Sequence, residues 1–197
     1  MRQHAGTMGA MPQEATGKTG WPTERRNKPE RPRDHLGRPQ PWGTPNTLEL
    51  EDYDALPLEE NHALARAHFS AGRFFPAHEA WETAWKQARD TDDAELFKGL
   101  SQLGAGYVHL LRGNAHGAVT LLGRAASRIA GYPAGHRDID CPAVARAAEA
   151  EALRVEREEL EPGENASIRP PRVEGGRPSG DVPALTVDGR NRRMGAR

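Results

Sequence analysis

Apolar residues recur at helical spacing in five successive stretches of the chain, and no stretch alternates apolar and polar positions as a half-buried strand would. The first follows Pro57, where LEENHALARAHFSAG places Leu64, Ala67, His68 and Ala71 on one face, with Glu59 and Glu60 in the first turn favouring the helix dipole. Gly72 stops it, and Pro76 stands where the first turn of a second helix tolerates proline. In that second stretch, FFPAHEAWETAWKQA, a rotation of about 100° per residue groups Phe74, Trp81 and Trp85. The same rotation sets His78 in the middle of the buried face, Glu82 on its flank and Glu79 outermost.

The third stretch, from about Ala94 to Arg112, carries Leu96, Leu100, Leu103, Tyr107, Leu110 and Leu111 in one broad stripe. Gln102 and His109 lie opposite, with Ala105 and Gly106 between them. Gly99, Gly104 and Gly106 each cost about 1 kcal/mol in helix propensity, so close packing by neighbouring helices is expected to offset them. This helix is predicted to be central, covered on both sides. Asn114 is placed to cap a fourth helix with Ala118, Leu121, Leu122, Ala125 and Ile129 inward, ended by Gly131, Tyr132 and Pro133. Asp140 caps a fifth, with Val144, Ala148 and Val155 inward and Arg154 and Glu158 as an exposed pair. The predicted fold is all-α, a compact bundle of five helices.

Composition sets the limits of that bundle. Only 36% of the residues are apolar, with 21 Gly and 16 Pro and a mean hydropathy of -0.79, too little for the whole chain to share one core. Residues 1–50 and 162–197 are rich in Pro, Gly and Arg without apolar periodicity. Both are expected to be disordered tails around a domain at 51–161. Trp21 and Trp42 fall in the first tail, and Met8 and Met11 leave the true start codon open.

Charge segregates along the same boundaries. Residues 1–50 carry 8 basic and 5 acidic groups, 51–161 carry 12 and 19, and 162–197 carry 7 and 4, giving +3, -7 and +3. An acidic domain is a poor grip for a phosphate backbone, so specific nucleic-acid binding is not expected. Cys141 is the only cysteine, which excludes an intrachain disulfide and a cysteine-rich zinc site. With neither a signal-peptide core nor an apolar run of about 20 residues, the expected location is cytoplasmic and off the membrane.

The string GRFFPAHEAWETAW followed by ELFKGLSQLGAGYVHLLRGNAHGAVTLLGRA resembles a small bacterial and archaeal family, the domain-of-unknown-function family 309. Phe75, His78, Glu79, Trp81, Glu82, Trp85, Gly99, Leu100, Gln102, His109, Gly113, Asn114, Gly117 and Ala118 carry the resemblance. It implies a compact all-helical fold and brings no activity. The long tails are a departure from the family and lie outside what it implies.

The candidate site combines His78, Glu79 and Glu82 on the second helix with Gln102 and His109 on the third, against the aromatic packing of Phe75, Trp81 and Trp85. One reading is a buried polar network in which His78 bonds Glu82 and Gln102 and so fixes helix packing. The chain is then a binding or structural module for a protein or small-molecule partner or a second copy of itself. The other is a divalent-metal site built from His78, Glu82 and His109, with hydrolysis as its chemistry. HEAWE is not the HExxH of zinc proteases, because position 82 is Glu. No nucleophile, phosphate loop or cofactor fingerprint is present, so no organic cofactor is expected and enzyme chemistry is left open.

Overall fold

The computed structural model describes residues 31–174 and the strand pair residues 185–186. Five helices form it, α1 (Leu58–Ser70), α2 (Phe74–Gln87), α3 (Ala94–Leu111), α4 (Ala115–Ile129) and α5 (Cys141–Glu156), preceded by a 3-10 turn at Tyr53–Ala55. Each helix packs chiefly on its sequence neighbours, and α3 is sandwiched between α2 and α4. The glycines of α3 explain the closeness of those contacts. A Cβ on Gly104 would meet the His78 backbone N at 3.0 Å, while Cβ atoms on Gly99 and Gly106 would meet Ile129 and Leu122 of α4 at 2.9 and 2.7 Å. The expectation of a central, glycine-lined helix matches this arrangement.

The core contains Phe69, Phe74, Trp81, Phe97, Leu100, Tyr107, Leu122 and Ile129, all fully buried. Phe69 lies against Phe74, Trp81 and Tyr107 with ring centroids 5.0, 5.6 and 5.6 Å apart, distances typical of favourable aromatic packing. Two helix faces differ from the rotation read from the sequence. In α1 the buried residues are Asn61, His62, Ala65, His68 and Phe69, whereas Ala67 and Ala71 are exposed. In α2 the inward stripe is Phe74, Ala77, Trp81, Ala84 and Ala88, and Trp85 moves to its edge with Phe75 and His78. Ala77, Ala80, Ala84 and Ala88 fill the stripe between the large rings and are fully buried.

Both expected caps form. Asn114 accepts a hydrogen bond from the Gly117 N–H, and Asp140 from the Ala143 N–H. Arg154 pairs with the buried Glu151 at 2.6 Å rather than with Glu158, and Glu151 also accepts from the Arg169 N–H at 2.7 Å. An internal carboxylate needs both partners to offset its lost hydration.

Short ladders that the sequence did not announce are also present. Strand β1 (Ala134–His136) pairs antiparallel with β2 (Ile139–Asp140), with Ala134 opposite Asp140 and His136 opposite Ile139. Arg137 and Asp138 turn between them at φ 50° and 58°, the positive pair that a tight hairpin demands. Strand β3 (Ser167–Ile168) pairs antiparallel with β4 (Leu185–Thr186). Strands of two or three residues are too short to leave an alternating pattern.

The boundaries expected at 51 and 161 are too narrow. Leu36 and Leu48 on one side and Ala166, Ile168 and Val173 on the other are buried in the same body. The first segment is held by Arg112, which donates to the Leu36 carbonyl, and by Arg38, which donates to the Leu111 carbonyl at 3.3 Å. Gly37, at φ 77°, presses on the Phe75 ring, where a Cβ would come within 2.3 Å. The remaining tail residues, Trp21 among them, lie outside the described residues, whereas Trp42 is described and exposed.

Candidate functional site

The site begins with the contact at Gly104. Because α3 has no side chain there, its backbone lies on α2 at His78, and Ser101, one turn earlier, comes within reach of the imidazole. His78 Nδ1 is 3.1 Å from the Ser101 carbonyl and 3.0 Å from its Oγ. A carbonyl only accepts, so Nδ1 carries the hydrogen and donates. In the neutral ring the lone pair therefore belongs to Nε2, on the opposite edge.

That edge faces two carboxylates. His78 Nε2 lies 3.6 Å from Glu82 Oε2 and 3.9 Å from Glu79 Oε1, beyond hydrogen-bonding distance in both cases. One ligand atom from each of the three residues falls within 4.8 Å of the others. All three side chains are half-buried, with 24%, 36% and 33% of their surface exposed for His78, Glu79 and Glu82, so the cluster opens to solvent. Lys86 takes the other oxygen of Glu82 at 3.0 Å, which leaves Oε2 turned toward the imidazole. Three electron-pair donors thus converge with no hydrogen between them.

The remaining candidates are placed nearby but do not join this group. His109 Nδ1 accepts from the Asn114 amide at 2.8 Å, and the ring rests on Gly117, where a Cβ would come within 2.3 Å of Nδ1. Burial, then Arg112, then His78 lower the pKa of His109 from its ordinary value, favouring the neutral ring. It is an orienting partner of the α4 cap and lies outside the donor cluster. Gln102 is half-buried, and its Oε1 is buried without a hydrogen-bond partner among the described residues. His78 bonds Ser101, so the expected network of His78, Glu82 and Gln102 is replaced by a shorter link between α2 and α3.

The aromatic residues serve different ends. Phe75 meets His78 edge-on at 6.2 Å and lies under the Arg112 guanidinium at 5.7 Å. Trp85 carries Lys98 Nζ 5.1 Å from its ring centroid. Trp81 is fully buried, and its Nε1–H donates to His62 Nδ1 at 3.1 Å. His62 Nε2 in turn donates to the Arg137 carbonyl at 3.0 Å, and burial lowers its pKa. Arg137 and His136 also hold Asp93, at 2.8 and 2.6 Å, and together with Arg137's own charge these bonds keep that carboxyl below the usual range despite burial.

Sequence reasoning missed Ser101, His62 and the Asp93 cluster. Ser101 adjoins Gln102 and falls in reach only because Gly104 draws the helices together. His62 finds Trp81 and Arg137 from distant parts of the chain, so only its position on the α1 helix was legible.

Residues 63–121 match the model of a domain of unknown function, DUF309. The DUF309 segment runs from early α1 into the middle of α4 and contains the whole His78, Glu79 and Glu82 cluster, Ser101, Gly104, His109 and Asn114. It agrees with the resemblance read from the sequence and assigns no activity. No curated protein and no solved structure matches the chain. Among the described residues, no helix is long and apolar enough to cross a membrane.

Proposed function

We propose that the protein is a small helical binding module whose α2 surface takes up a first-row divalent cation through His78 Nε2, Glu79 and Glu82. The observation that supports this is the convergence of one ligand atom from each residue within 4.8 Å, around an imidazole whose other nitrogen is tied to Ser101. A metal-bound histidine usually donates its second ring N–H to a carbonyl or carboxylate, which fixes ring and tautomer. Imidazole nitrogen and carboxylate oxygen bind zinc at about 2.0–2.2 Å, so the donors need only a modest contraction to share an ion. Three protein ligands leave a coordination position for water or a partner's donor group. His109, engaged with Asn114, is not one of the three.

The test is titration of metal-free protein with Zn2+ against a chromophoric chelator. Near-stoichiometric uptake is expected, lost in His78→Ala and weakened at least tenfold in Glu82→Gln. Ser101→Ala, which leaves all three ligands and the residue 101 carbonyl that accepts from Nδ1 in place, should weaken it by less than about tenfold. Zinc at 100 times its dissociation constant should also stabilise the fold by about 2.7 kcal/mol. No uptake, or uptake undiminished in a folded His78→Ala variant, overturns the proposal and leaves the link from His78 to Ser101 as a packing contact alone.

A further inference from the structure

A second feature lies away from α2, where the start of α4 meets the end of α5. The chain leaves α5 through a Schellman turn, in which the Glu158 N–H donates to the Val155 carbonyl at 3.1 Å and the Glu159 N–H to the Arg154 carbonyl at 2.9 Å. It then comes back against the turn before α4, where a Cβ on Gly113 would lie 3.9 Å from the Pro162 carbonyl oxygen. A groove of about 620 Å³ opens there, with Val119, Val155 and Leu160 as an apolar floor and the exposed Glu156, Glu158 and Glu161 as a rim. His116 is the only basic side chain among the lining residues, so the groove is net anionic.

The rim carboxylates work against the stability of the fold. None has an ion-pair partner among the described residues. Glu156 and Glu158 stand at the C-terminal end of α5, where the helix carbonyls already concentrate negative potential and cations are favoured. Glu158 also holds φ at 59°, in the position of the turn that glycine usually fills. For the fold alone, a glycine there would serve better. An anionic rim beside an aliphatic floor is complementary to arginine, whose stem covers apolar surface while its planar guanidinium bonds carboxylates. Arginine is also enriched at protein interfaces, and the groove falls within the range of about 300–1,000 Å³ of ligand clefts, with room for several side chains rather than a single ion. We infer that this groove docks an arginine-bearing segment of a partner protein, with its aliphatic residues on Val119, Val155 and Leu160 and its guanidinium groups on Glu156, Glu158 and Glu161.

The inference is independent of metal binding at His78 and is tested on the full chain with three fluorescent peptides: acetyl-RLRVR-amide, its lysine counterpart acetyl-KLKVK-amide and the polar acetyl-RSRTR-amide. Anisotropy should show saturable binding of the first and at least threefold weaker binding of the other two. Affinity for the first should fall at least tenfold in the E156Q/E158Q/E161Q variant and at about 0.5 M salt, as a screened ionic contact requires. The methyl signals of Val119, Val155 and Leu160 should shift during the titration while those of Leu100 and Leu103 stay in place. Glu158→Gly separates docking from folding, because it should raise the urea midpoint by relieving the turn and yet weaken the peptide at least threefold. Failure of acetyl-RLRVR-amide to bind, equal binding of the lysine peptide, or binding undiminished in the folded triple variant overturns the inference. A lowered urea midpoint in Glu158→Gly would make that carboxylate a structural part of the turn and overturns it as well. Equally tight binding of spermine at the same methyl groups assigns the groove to small polyamines and overturns docking of a protein segment.

Discussion

Replacing Gly104 by Ala probes the contact from which the candidate site is built, and its sign separates two effects. In an exposed helix interior the substitution stabilises by about 1 kcal/mol. At Gly104 the added carbon would lie 3.0 and 3.1 Å from the backbone N and Cα of His78, atoms that cannot swing aside as a side-chain tip can. Ordinary carbon contacts sit at about 3.5–4.0 Å, so α2 must withdraw by about 0.5–0.8 Å. That stretches the 3.0 and 3.1 Å contacts of His78 with Ser101 out of hydrogen-bonding range. The loss costs about 1 kcal/mol, and the opened seam forfeits about 1–2 kcal/mol of dispersion across the interface. After the propensity gain, Gly104→Ala should destabilise by about 1–2 kcal/mol. Gly123 on α4 is the control, because a Cβ there meets nothing within 4 Å and Ala should stabilise by about 0.5–1 kcal/mol. With a urea slope of about 1–3 kcal/mol per M, the two midpoints should move in opposite directions by tenths of a molar or more. Equal stabilisation by both substitutions would refute the close approach of α2 and α3.

Three further outcomes follow from single contacts. Trp81→Phe keeps the ring in the core but strips His62 Nδ1 of its donor, and should cost about 1–3 kcal/mol by thermal unfolding; a variant within 0.5 kcal/mol of the parent would argue against that bond. Asn114→Ala removes the α4 cap, at about 0.5–2 kcal/mol. It also removes the amide that donates to the neutral His109 ring, so the imidazole pKa followed by NMR should rise toward its ordinary value; an unmoved titration contradicts the link. The third concerns acid. His62, His68 and His109 have folded pKa values held below the ordinary imidazole value of about 6.5, in each case first by burial. Below that pH the unfolded chain binds protons that the folded chain refuses, so stability present above about pH 6.5 is lost as the pH falls. The urea midpoint should drop between pH 7 and 5, less steeply in a His62→Gln variant, and a flat profile would contradict the buried neutral rings.

The sequence by itself determined where the helices run, because their apolar repeats, their stops and the caps at Asn114 and Asp140 are local features that each segment carries alone. It also indicated a close-packed α3, since a helix that keeps Gly99, Gly104 and Gly106 against propensity needs neighbours at short range. What it misjudged was rotation. Large aromatic residues suggested that Trp85 and His78 faced the core, whereas the seam is lined by Ala77, Ala84 and Ala88, small residues with little hydrophobic signal that gain their value from a partner's proximity. The tail boundaries were misplaced for a related reason. Leu36, Ile168 and Val173 are isolated apolar residues without a period, and they join the core where Arg112 holds the Leu36 carbonyl and Glu151 holds the Arg169 N–H next to Ile168. The partners of the candidate site were decided in the same way. The i, i+4 spacing placed His78 and Glu82 together, but Ser101 as the orienting acceptor, Asn114 as the partner of His109 and Trp81 as the donor to His62 depend on which helices meet at which height. Periodicity describes one segment at a time, and those meetings are set by side-chain volumes on two segments at once.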